Sequence, residues 1–140
     1  MDKLELVRLA MEAREMSYAP YSKWKVGAAL LAKNGQVFKG CNIENASYTP
    51  TNCAERTAFF KAISEGVHEF EKIAIVGGED GASCLHICPP CGVCRQVMME
   101  FCDYEKFQII LGATNEEEMV VTSLKEMMPY GFGPSDLLDK

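Results

Sequence analysis

The chain has no apolar run of the roughly twenty residues that a membrane-spanning helix needs. Its opening residues, Met1-Asp2-Lys3-Leu4-Glu5, also lack the basic-then-apolar order of a secretory leader. The expectation is a cytoplasmic protein with no membrane partner. Clusters of Lys and Arg are missing too. The formal net charge is -6, whereas a protein that binds long nucleic acid gains affinity by neutralising phosphates. No nucleic acid partner is expected. Histidine is scarce: His68 and His86 stand alone, and an isolated histidine reads as a surface or packed side chain. Internal repeats, linkers and low-complexity blocks are absent as well.

What is present suits one ordinary domain over residues 1–140, a length that buries one core and is short for two. Apolar and aromatic residues make up 48% and charged residues 24%, a balance that folds and does not remain disordered. The acidic run Glu116-Glu117-Glu118 reads as a solvated turn. Cysteine is abundant, with seven in the chain. The odd count and the tight group Cys88, Cys91 and Cys94 fit metal ligation better than a disulfide framework.

The apolar spacing from Leu4 to Met16 predicts an amphipathic helix, ended by Pro20. Val26 to Leu31, the Asn34-Gly35 turn and Val37 to Asn42 predict a hairpin. Cys53 to Ile63 reads as a helix with Thr51 or Asn52 as N-cap, which puts Cys53 in its first turn. Lys72 to Val76 reads as a strand, Gly77-Gly78 and Gly81 as a loop, and Pro89-Pro90 as the entry to a helix from about Cys91 to Phe101. Phe107 to Leu111 and Met119 to Val121 read as strands about the Asn115 turn, followed by a short helix from Leu124 to Met128. The order α-β-β-α-β-α-β-β-α implies one sheet covered by helices, an α/β three-layer α-β-α architecture whose strand order the spacing leaves open.

Two segments carry chemistry: Cys53-Ala54-Glu55 at one helix start and Pro90-Cys91-Gly92-Val93-Cys94 at another. A catalytic zinc takes three protein ligands and leaves its fourth position to water, and Cys53, Cys91 and Cys94 satisfy that count. The CxxC spacing lets two sulfurs meet one ion, and a helix start lowers thiol pKa values. Three thiolates on Zn²⁺ leave a formal charge of about -1, so a compensating cation is expected. Arg56 and Arg95, each next to a chemistry-bearing residue, are the candidates, and Arg56 is favoured. Glu55, two residues past a ligand, can reach water at the metal without binding the metal itself, the position of a proton shuttle.

Other readings stand beside this one. A CxxC is often just two cysteines on a helix. Cys88-x-x-Cys91-x-x-Cys94 resembles the start of an iron–sulfur run, although Met98 stands where the next cysteine belongs. A closed structural zinc would take Cys88 or His86 as a fourth ligand, against which the stiff Pro89-Pro90 pair directs Cys88 away from Cys91. Cys41, Cys84 and Cys102 read as small structural residues.

The zinc deaminase signature is HxE followed by PCxxC, with a glutamate that does not bind the metal. Here Cys53-Ala54-Glu55 replaces HxE, and Pro90 to Cys94 supplies the second part. With its three cysteines the chain resembles the small free-nucleoside cytidine deaminases more than those acting on DNA or RNA strands. Tyr21 to Ala29, Gly40 to Tyr48 and Pro129-Tyr130-Gly131-Phe132 look like the same family, so the likeness spans nearly the whole chain. The resemblance implies a mixed five-stranded sheet in three layers, one Zn²⁺ per chain, and a homotetramer with shared active sites. It implies deamination of cytidine and deoxycytidine to uridine and deoxyuridine with release of ammonia, a step of pyrimidine salvage, with Glu55 moving the protons. It implies that Asn42 and Glu44 grip the ribose hydroxyls, that Trp24 and Ala54 border the substrate, and that Phe132 stacks on the base from a neighbouring subunit. Trp24 stands where the family commonly has Phe. Rival expectations are an altered cytosine substrate, a noncatalytic zinc-stabilised interaction module and a strand editor.

Overall fold

The computed structural model of the chain describes residues 1–138; the last two residues of the expected 1–140 domain lie outside the described residues. Four helices, α1 (Lys3–Arg14), α2 (Ala54–Ser64), α3 (Gly92–Phe101) and α4 (Leu124–Met127), accompany five strands, β1 (Trp24–Ala32), β2 (Val37–Cys41), β3 (Phe70–Glu79), β4 (Gln108–Leu111) and β5 (Val120–Ser123). The strands form one sheet in the order β2-β1-β3-β4-β5. The sheet is mixed: β3 and β4 pair parallel while the other neighbours pair antiparallel. A parallel pair needs a crossover connection, and α3 supplies it.

The three layers follow from the two-residue period of the strands. Ala28, Leu30, Ile73, Ile75, Ile109 and Leu111 point into a core with Ala58 and Phe59 of α2, Met98 of α3 and Leu124 of α4. Their alternates, Ala29, Leu31, Ala74, Val76 and Ile110, point the other way and pack on Leu6, Val7 and Ala10 of α1. No helix among the described residues is long and apolar enough to cross a membrane.

Several boundaries differ from the sequence expectation. Helix α1 ends at Arg14, well before Pro20. Residues just beyond it are recruited elsewhere: the Ser17 hydroxyl donates to the Val26 carbonyl at 3.0 Å and the Tyr18 amide to the Asn42 carbonyl at 3.0 Å. Gly77 and Gly78 belong to β3 and not to a loop. They are small because the 85–88 segment lies on the strand: a Cβ at Gly77 would sit 2.8 Å from Cys88 Sγ, and one at Gly78 would sit 2.6 Å from Leu85 Cδ2. The α2 N-cap is Cys53 itself, one or two residues past the expected cap. The acidic run forms a single 3-10 turn at Glu116–Glu118 with no buried residue. Cys41 and Cys102 are half-buried, but Cys84 is exposed, because its neighbour Leu85 takes the inward position.

Candidate active site

Cys53 and Cys91 occupy equivalent places, the extended N-cap residues of α2 and α3, and neither side chain caps its helix. Both sulfurs are therefore free to face outward from the helix starts, where unpaired N–H groups and the dipole favour negative charge. The start of α2 is fixed by close packing on β2: a Cβ at Gly40 would lie 2.4 Å from the Ala54 carbonyl oxygen. Cys94 is buried in the first turn of α3.

The three sulfurs converge. Cys53 Sγ and Cys91 Sγ are 3.9 Å apart, Cys91 Sγ and Cys94 Sγ 3.6 Å, and all three lie within 4.8 Å of one another. Tetrahedral zinc with Zn–S bonds of about 2.3 Å separates its sulfurs by about 3.8 Å, so the spacing fits the ion. Electrostatics agree. Cys53 is lowered to about 5, first by its hydrogen bond with Cys94 and then by Arg56. Cys94 is pushed far up by the hydrogen bond with Cys53, by burial and by the Glu55 charge. Thiolate charge at Cys53 and Cys94 beside the Glu55 carboxylate is mutually repulsive, and a cation among the sulfurs relieves it. Among the described residues neither Cys88 nor His86 joins the cluster, which leaves a three-ligand site and not a closed four-ligand one. His86 pairs instead with Glu118 at 2.9 Å.

Arg56 Nη2 donates to Cys53 Sγ at 3.2 Å. Arg95 does not reach the sulfurs: its Nε donates to the Pro90 carbonyl at 2.9 Å and its Nη1 to the Met127 carbonyl at 2.8 Å, tying α3 to α4. Glu55 is 4% exposed. Burial, and then the charge on Cys53, raises its carboxyl to about 7.

A second group of expected residues gathers at the open end of β1. Beyond Cys41 the strand β2 stops, and the Asn42 side chain continues its pairing along β1. The Val26 amide donates to Asn42 Oδ1 at 2.9 Å, and Asn42 Nδ2 donates to the Trp24 carbonyl at 2.8 Å. Glu44 accepts from the Tyr21 and Ser22 amides at 3.0 and 3.1 Å and from the Ser22 hydroxyl. The Ser22 hydroxyl bond is the chief reason its carboxyl lies below its ordinary value. Ser22, quoted in the sequence only as part of a motif, is thus the residue that orients Glu44. A cavity of about 390 Å³ is lined by Tyr21, Ser22, Glu44, Asn45, Tyr48 and Thr51, and includes none of the three sulfurs.

Trp24 is exposed, whereas Ala54 is completely buried. Phe132 is 56% exposed, and its carbonyl accepts from Gln96 Nε2 of α3 at 2.8 Å. Lys23, Tyr48 and Tyr130 hold left-handed backbones at φ 60°, 64° and 55°. Such positions cost non-glycine residues about 1–3 kcal/mol and concentrate at functional sites; here they flank Trp24, line the cavity and precede Phe132. Nothing in the sequence signals them.

Comparison with known proteins agrees with this geometry. The model of the cytidine and deoxycytidylate deaminase zinc-binding region matches residues 1–111. A cytidine deaminase of Halalkalibacterium halodurans is 47% identical over 99% of this chain and 100% of its own length. One of Sporosarcina psychrophila is 44% identical over 98% and 96%. The crystal structure of cytidine deaminase from Burkholderia pseudomallei superposes with a TM-score of 0.82 at 44% identity, covering 94% of this chain and 100% of that one. Sulfur spacing, sheet order and likeness over nearly the full length point the same way, and the chain belongs to the cytidine and deoxycytidylate deaminase zinc-binding family.

Proposed function

We propose that Cys53, Cys91 and Cys94 hold one zinc ion and that Glu55 moves the protons in hydrolytic deamination of cytidine and deoxycytidine, within a single domain over residues 1–140. The protein is an enzyme that deaminates cytidine, with zinc as its cofactor, a reaction consistent with pyrimidine salvage. The observation that carries the assignment of roles is a buried carboxyl, its pKa raised by burial, two residues past Cys53, whose sulfur converges with those of Cys91 and Cys94.

Bound zinc supplies a water of lowered pKa at neutral pH. Glu55 would take a proton from the attacking water and hand it to N3 of the pyrimidine as the new C4–oxygen bond forms. The new C4 hydroxyl would then give up its proton through Glu55 to the amino group, the C4–nitrogen bond would break, and ammonia would depart as the C4 carbonyl of uridine forms. A buried carboxyl whose surroundings disfavour its ionised form serves both directions of transfer, as base and then as acid. Arg56 offsets thiolate charge at Cys53.

Asn42 and Glu44 grip the ribose, each already oriented by β1 or by Ser22. Trp24 flanks the nucleoside. Ala54 borders the substrate without an exposed side chain, since it is completely buried. Phe132 reaches the base of a neighbouring subunit in a homotetramer, a reading supported by the exposure of Tyr48 at 74%, of Phe132 and of Tyr130. The cytoplasm is the compartment that suits free thiols at Cys53, Cys91 and Cys94.

The test follows ultraviolet absorbance with cytidine and deoxycytidine, together with zinc per chain and solution mass. Loss of the cytidine band with about one zinc per chain in a four-chain particle supports the reading. Zinc without turnover of either nucleoside overturns it in favour of an altered substrate or a structural zinc.

A further inference from the structure

Arg14, the last residue of α1, is 8% exposed. Among the described residues its guanidinium forms no ion pair with a carboxylate. It donates instead to three main-chain carbonyls: Nε to Lys25 at 3.0 Å, and Nη2 to Gly78 at 3.0 Å and to Glu79 at 2.8 Å. Burying a charge without a counter-charge is costly, so the position needs what only a forked, permanently charged donor provides.

Those carbonyls lie where β1 and β3 run out. Trp24 pairs with Glu79 and Lys25 with Gly78, the last registers of the ladder. The outer edge of this end of β1, Trp24 to Val26, is held by Asn42: its side chain takes the Val26 amide and the Trp24 carbonyl. Arg14 thus grips the carbonyl of the same Lys25–Val26 peptide group whose N–H binds Asn42 Oδ1, and it fastens that segment to β3.

We infer that Arg14 is a positioning residue for nucleoside binding, setting Asn42 and Trp24 by clamping the ends of β1 and β3. The inference rests on the reading of Asn42, Glu44 and Trp24 as nucleoside contacts. It needs no contact between Arg14 and the substrate, and it leaves the sulfurs and Glu55 untouched, since they are carried by α2 and α3. Its signature is therefore a split between binding and turnover.

The experiment compares Arg14→Met and Arg14→Lys in the full-length zinc enzyme. Arg14→Met raises KM for cytidine about tenfold, the loss expected when one oriented polar contact to the nucleoside is misplaced, with kcat within about threefold and zinc retained. Arg14→Lys, with one point charge in place of a fork, recovers part of the loss. Trp24 is the one tryptophan in the chain, so its emission, and its response to uridine, reports the same displacement directly. Unchanged KM, or parallel loss of kcat and zinc, overturns the inference. If Arg14→Met does not fold, Arg14→Lys decides: wild-type KM with wild-type Trp24 emission overturns it. Glu44→Gln and Asn42→Ala separate the premise. If neither raises KM, the reading of the nucleoside contacts fails; if both do and the Arg14 variants do not, the clamp alone fails.

Discussion

Replacing Arg56 by Met removes the cation beside the sulfurs while keeping its apolar length. In the structure Arg56 Nη2 stands 3.2 Å from Cys53 Sγ, and its Nε is buried with no partner. A hydrogen bond involving a charged group contributes about 1.5–3 kcal/mol, which at 1.36 kcal/mol per decade corresponds to about 10- to 150-fold in rate. The sign follows from charge. Without Arg56 the Cys53 thiolate keeps more of its electron density, which holds a cation no less firmly but weakens that cation's pull on water. The expected result is a fall in kcat for cytidine within that range, with zinc content unchanged and no faster release to a chelator. The assay is steady-state turnover normalised to bound zinc, alongside a chromophoric chelator competition. Wild-type kcat per bound zinc, or activity lost only in proportion to zinc, would refute the charge-compensation argument.

Glu55 makes the acid limb of the pH profile informative. Its base form takes the first proton, so kcat/KM declines as pH falls through its pKa. Burial places that value at about 7 from the protein's own groups, and a bound cation draws it down toward the ordinary glutamate value of about 4.3. The acid limb is therefore expected between those limits; a limb above 7, or none down to about pH 4, contradicts the assignment. Gly77→Ala forces a Cβ to within 2.8 Å of Cys88 Sγ, and overpacking of this kind costs about 1–3 kcal/mol. Thermal unfolding should register the loss, and an unchanged midpoint would mean that the 85–88 segment yields freely.

The sulfurs and Glu55 were legible because metal ligation restricts residue type and local spacing together. Cys91 and Cys94 meet one ion from a single turn, and Glu55 follows Cys53 by two residues wherever the helix begins. The cap position was less legible, since Cys53 serves as N-cap without a capping side chain, a place that Thr51 or Asn52 fills on propensity alone. Gly77 and Gly78 read as a loop because glycine is a local breaker signal, while their actual constraint is Cys88 and Leu85 arriving from later in the chain. The same limit hid Arg14. A basic residue at a helix end is an ordinary solvated side chain until the ends of β1 and β3 are brought beneath it. Strand order belongs to the same class, since the parallel β3–β4 pairing joins segments separated in the chain by α3.

The most direct measurement is turnover and zinc content of Glu55→Gln, which keeps the shape of the buried side chain and removes its proton chemistry. A loss of cytidine turnover of about a thousandfold or more, with zinc still at about one per chain, is the result expected of a proton carrier that is not a ligand. Turnover within about tenfold of the parent enzyme, or zinc lost along with activity, would contradict the role assigned to Glu55.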